Sequence, residues 1–214
     1  MNLIIRLIKT FSKKTLSALI LVSTILLFVI VYYVSETFHI PLRHFLSDPL
    51  SLFHVNPLRG VISNLGVLIW CATASILLFT FFLVIGKVSN KKSSFLLYSA
   101  FITAFLLFDD LFMFHEYILL SVGIVEEVMY GIYIVLFGVL FLAFSRILLA
   151  AQFKFALIIA FISFGNSIII DLVVKGEKFR VLFEDGFKFL GIVCWAMFFI
   201  FYCLDLTKTT ITKE

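Results

Sequence analysis

Six long apolar runs dominate this sequence, near residues 15–34, 61–85, 95–120, 128–149, 155–174 and 181–204. Each is about 20 residues or longer, the length an α-helix needs to cross a bilayer core about 30 Å thick. In lipid the backbone must satisfy its own polar groups, and continuous runs without strand alternation do so as helices. The expected fold class is therefore all-α: a polytopic membrane helical bundle of six transmembrane helices, forming a single integral membrane domain over residues 1–214. Composition agrees, with 63% hydrophobic and 14% charged residues against about 45–50% and about 25% in soluble domains. A soluble globular protein is excluded, and any chemistry belongs to the membrane body.

The first run follows Arg6, Lys9, Lys13 and Lys14. Its length and the lack of a small-residue cleavage site predict a retained span rather than a signal peptide. Residues 1–14 place Ile4, Ile5, Leu7 and Ile8 among these cations, a pattern suited to a short helix on the inner leaflet.

Assigning Lys and Arg to alternating sides of six spans puts 11 of the 17 on one face, which the positive-inside rule makes cytoplasmic. Only Asp205 and Glu214 of the 13 acids share that face, giving a net +9 inside and −5 outside. Both termini are then cytoplasmic. The overall charge of +4 thus reflects insertion and anionic headgroups, and without a basic stripe interleaved with aromatics no nucleic-acid partner is expected. Membrane lipids are the expected partners. His39, His44, His54 and His115 all fall on the outer side.

The longest connection, residues 35–60, holds all three prolines, Pro41, Pro49 and Pro57, at a spacing of eight. Proline favours a helix's first turn, so this Pro-rich outer loop is expected to lie on the membrane interface as two short helices. Cys71, Cys194 and Cys203 lie within spans and read as packing residues rather than a disulfide framework.

The third run contains FDDLFMFHEY, with Asp109, Asp110, His115 and Glu116. Counted from Phe95 at about 1.5 Å per residue, Asp109 sits roughly 21 Å into the core. An ionised carboxylate there costs several kcal/mol, of order 3, unless it is paired, protonated or wetted. On one continuous helix Asp109 and Glu116 project within about 20° of each other, with Asp110 and His115 flanking them. Such a column suits a divalent cation, with Asp109, Asp110 and His115 as ligands, or a proton relay toward the outer surface. Structural hydrogen bonds or ion pairs with other helices are the plainer alternative.

Other outer acids have nearby cations. Asp171 precedes Lys175 by four residues, Glu184 lies four from both Arg180 and Lys188, and Asp185 is three from Lys188. Ser63 and Asn64 open the second span, and Asn166 interrupts the fifth beside Ser163 and Ser167. In lipid such residues commonly bond helices together. His44 and His54 stand in the Pro-rich loop, from which they can supply imidazoles to the outer mouth.

With these residues read, the chain resembles a class of bacterial multi-pass proteins whose third span carries a DDxFxxHE pattern and whose last span opens on EDGxKFLG, here Glu184 to Gly191. That resemblance implies the bacterial inner membrane and brings no function. More remotely, Ser63–Asn64–Leu65 and Asp109 to Met113 are similar to motifs of the alkaline ceramidases and related transmembrane hydrolases. This similarity implies zinc-dependent amide hydrolysis, with zinc or another divalent cation at Asp109, Asp110 and His115. Those enzymes commonly carry a histidine pair on the last span, where this chain has none. Glu126 to Gly131 has Gly131 where intramembrane CAAX-type proteases need arginine, which excludes that class.

Three function classes remain open on sequence alone. The first is a metal-dependent hydrolase or transferase acting on a lipid-like substrate, with Asp110 or Glu116 as the catalytic base. The second is a cation or proton transporter. Against it, the inner halves of the spans hold almost no ionisable groups. The third is a non-catalytic membrane subunit or assembly factor.

Overall fold

The computed structural model describes residues 13–47, 52–54, 56, 58–114, 118–121, 123, 125, 127–173 and 177–212. Six helices among them are long and apolar enough to cross a membrane. They are α1 (Lys13–Phe38), α2 (Val61–Val84), α3 (Asn90–Phe112), α4 (Glu127–Ala150), α5 (Lys154–Val173) and α6 (Glu177–Ile211). The protein is an all-helical, multi-pass membrane protein.

The chain divides into two compact units, residues 1–61 and 62–214. In the first, α1 carries apolar side chains around its whole circumference, as a span in lipid does. The chain then turns through His39, whose positive φ of 53° marks the break. The first interfacial helix expected after Pro41 is one turn, Arg43–Leu46. The Pro41 carbonyl accepts the His44 N–H at 2.8 Å as that turn opens. Pro49 and Pro57, on which the second expected helix rests, lie outside the described residues.

In the second unit α2 to α6 form a five-helix body. Five of the six expected spans match their helices within a few residues at most ends, the last helix running further at 35 residues. The third does not. Expected over 95–120, α3 starts at Asn90 and stops at Phe112. Met113 takes a left-handed conformation, φ 51°, and donates its N–H to the Asp109 carbonyl, closing the helix. The face on which Asp109 and Glu116 were expected to stack therefore does not continue past Phe112. Asp109 and Asp110 lie in the last turn of α3, and His115 and Glu116 lie outside the described residues.

Packing in the body is aromatic. Trp195 of α6 is fully buried, with the rings of Trp70, Phe137, Phe161 and Phe199 at centroid distances of 6.0, 5.8, 5.9 and 4.8 Å. Its indole N–H donates to Thr103 Oγ1 at 3.1 Å, so the one polar atom of the side chain is satisfied. Without a hydrophobic driving force between helices in lipid, such close ring contact and buried hydrogen bonds carry the association.

The α5–α6 pair depends on one small residue. A Cβ on Gly191 would stand 2.5 Å from the Phe164 ring, whereas one on Gly186 would meet nothing within 4 Å. Gly191→Ala is therefore expected to cost about 1–3 kcal/mol by overpacking. Gly186→Ala is expected to be neutral or stabilising by up to about 1 kcal/mol through helix propensity. Unfolding midpoints of both variants in detergent check this pair.

Candidate functional site

Among the described residues, the acids of the five-helix body, Asp205 apart, gather at one end. This end is formed by the beginnings of α2, α4 and α6 and the last turns of α3 and α5. It is the end that the distribution of Lys and Arg assigns to the outer face. Antiparallel connection brings these five termini together, so residues distant in sequence become neighbours.

Asp109 and Asp110, successive on α3, face different partners. Asp109 is buried, only 2% exposed, and accepts a hydrogen bond from the Tyr133 hydroxyl of α4. Asp110 has both oxygens engaged: Oδ2 accepts the Trp70 indole N–H of α2 at 2.8 Å, and Oδ1 receives the Lys188 ammonium of α6 at 2.8 Å. Two adjacent carboxylates thus tie α3 to three other helices. Burial of these groups is tolerable because donors and a cation offset their desolvation.

A second group lies between α5 and α6. Arg180 reaches Asp171 at 2.5 Å and Glu184, one turn on, at 3.8 Å. Ser167 Oγ donates to the Glu184 carbonyl at 3.0 Å, holding the opening of α6 against α5. The expected i,i+4 pair of Arg180 with Glu184 is present, but the main pairings cross between helices. Asp171 is held by Arg180, while its expected partner Lys175 lies outside the described residues. Asp110, whose own helix carries lysines only in its first turn, about five turns away, is served by Lys188.

Between these two groups lies a cavity of about 830 Å³. Its rim includes Asp109, Asp110, Asp171, Arg180, Glu184, Asp185 and Lys188. Its apolar walls are built from Trp70, Tyr130, Tyr133, Phe137, Phe161 and Phe164. Trp70 stacks on Phe164 at 6.1 Å, and the Trp195 cluster lies directly behind Trp70, Phe137 and Phe161. Ile134 on α4 and Ile168 on α5 line the cavity and are 73% and 38% exposed, so the lining includes apolar side chains that are not packed away inside the body.

Of the sequence-derived candidates, Asp109, Asp110, Asp171, Glu184, Asp185 and Lys188 all line this space. Ser63, Asn64 and Asn166 are not among its lining residues, although Gly165 and Ser167, the neighbours of Asn166, are. Ser63 and Asn64 are exposed at the start of α2. His44 and His54 belong to the unit of residues 1–61, where the His44 ring stands edge-on to Phe53 at 6.5 Å. Among the described residues no three His, Cys, Asp or Glu side chains are grouped to hold a metal ion.

The site also contains residues absent from the sequence-derived set: Trp70, Tyr130 and Tyr133, with Arg180 as a cross-helix partner. The available signal was the i,i+3 spacing of Tyr130 and Tyr133, which puts two hydroxyls on one face of α4.

A family model described as a domain of unknown function, DUF8692, matches residues 18–201. The chain belongs to this family. No curated protein and no solved structure matches it.

Proposed function

We propose that this family member binds a lipid-like amphiphile in the cavity between α2 and α6, at the outer leaflet of the bacterial inner membrane. The observation that carries this is the two-part lining: aromatic walls at depth, and a charged rim at the helix ends. A volume of about 830 Å³ falls within the roughly 300–1,000 Å³ of ligand pockets. Entry of a chain past the exposed Ile134 and Ile168 belongs to this reading, so that the ligand need not cross water.

Transport fits the arrangement less well. The rings around Trp195 close the cavity on its inner side, and the charged groups lining it belong to the outer helix ends. A one-sided site follows. The metal-dependent reading meets a difficulty at Asp110, where the Lys188 ammonium at 2.8 Å would oppose a divalent cation. No metal-dependent step is assigned to it. Stoichiometric zinc in the purified chain, lost in both Asp109→Ala and His115→Ala, would restore hydrolysis of the bound lipid as the function.

Gly165 provides the test of binding. It lines the cavity, and a Cβ added there meets no atom within 4 Å. Gly165→Phe is therefore expected to fill the space without displacing its walls. Native mass spectrometry of the full chain released from nanodiscs should show one retained amphiphile in the parent, and at least about tenfold less occupancy in the variant. Equal occupancy with an unchanged unfolding midpoint would refute the cavity as the binding site.

A further inference from the structure

Charge in the cavity deepens this reading by defining the polar end of the ligand, and the step rests on the cavity being the binding site. Among the described lining residues, five carboxylates face two cations: Asp109, Asp110, Asp171, Glu184 and Asp185 against Arg180 and Lys188. Both cations are already turned toward acids, Lys188 to Asp110 at 2.8 Å and Arg180 to Asp171 at 2.5 Å. An anionic headgroup would have to displace a carboxylate from either one and would meet the remaining acids at close range. A cationic headgroup needs no such exchange. It brings the lining toward neutrality, and the half-buried Tyr130 and Tyr133 on that lining supply rings that can stabilise an ammonium.

We infer that the cavity selects amphiphiles whose head carries a positively charged nitrogen and no compensating anion, such as a long-chain amine or alkylammonium. The head lies at the carboxylate rim beside Trp70 and the two tyrosines. The tail follows the apolar wall and leaves between Ile134 and Ile168 into the bilayer. Asp185 is the most readily altered member of the rim: it is exposed, on the opening turns of α6, and lies outside the Asp110–Lys188 and Asp171–Arg180 pairs. It makes a charge probe that spares the Asp110 and Asp171 pairs.

The test uses the full chain in nanodiscs of neutral lipid, titrated with three amphiphiles of one chain length bearing trimethylammonium, maltoside or sulfate heads. Quenching of tryptophan fluorescence by brominated chains reports arrival beside Trp70. The expected order is trimethylammonium tightest by about tenfold over maltoside, with sulfate weakest. Asp185→Asn should narrow the gap between trimethylammonium and sulfate several-fold. Gly165→Phe should abolish quenching by all three. Equal affinity for the three heads, with quenching still lost in Gly165→Phe, overturns the head selection and leaves amphiphile binding intact. Quenching that persists in Gly165→Phe refutes the binding site itself.

Discussion

Lys188→Ala is expected to destabilise the five-helix body by about 2–3 kcal/mol. Breaking a buried pair by removing one partner costs about 3–5 kcal/mol, because the remaining charge is left desolvated. The lower figure applies because the Lys188 side chain is 36% exposed, while that of Asp110 is only 12% exposed. The Trp70 indole still donates to Asp110, but a neutral donor cannot offset a full charge. The second substitution decides the mechanism. In Lys188→Met with Asp110→Asn the charge is gone, the amide carbonyl still accepts from Trp70, and most of the lost stability should return. Unfolding of the single and double variants in a denaturing-detergent titration measures both. A double variant as unstable as Lys188→Ala would show that Lys188 acts through packing or another contact.

Trp195→Ala carries the other large effect, about 2–3 kcal/mol together with weaker ligand binding. In water-soluble cores a tryptophan-to-alanine change costs about 3–5 kcal/mol as transfer and void terms combined. In lipid the transfer term is mostly absent, since the separated helices are also in an apolar medium. The void and the lost ring contacts remain, and Thr103 Oγ1 loses the indole donor while its hydroxyl still donates to the Ser99 carbonyl at 2.7 Å. Because Trp195 supports Trp70, Phe137 and Phe161 from behind, its loss lets the cavity wall relax inward. Amphiphile occupancy is then expected to fall about tenfold. Trp195→Phe keeps most of the ring contacts and should retain most of both properties. Unchanged occupancy in Trp195→Ala would show that the wall stands without it.

Much of the architecture was legible in the sequence because lipid imposes a simple rule, and runs of about 20 apolar residues obey it. The end of α3 was not. Phe112, Met113 and Phe114 continue the apolar run without glycine or proline, and the helix stops through the backbone conformation of Met113. No composition signal announces that turn. The acids of the site were also legible, since charge at membrane depth stands out against hydrocarbon. Their partners were less so. Spacing arithmetic reaches only along one helix: it set Lys188 against Glu184 and Asp185 and could not show that Lys188 also reaches across to Asp110. Trp70 and Tyr133 were hidden for the opposite reason. Their rings count as apolar bulk, and only the fold shows that their N–H and O–H groups serve Asp110 and Asp109.

The ion pair between α3 and α6 also sets a schedule. Asp110 leaves the ribosome 78 residues before Lys188 does, an interval of roughly 4–16 s at synthesis rates of about 5–20 residues per second. Throughout that interval the third span has no Lys188 to meet, so its carboxylate must wait protonated, wetted or held near the headgroups. Arrival of the last helix ends the wait. The sixth span therefore acts as the clasp of biogenesis, and a nascent chain arrested before it would present an acidic third helix to the cell's quality-control proteases.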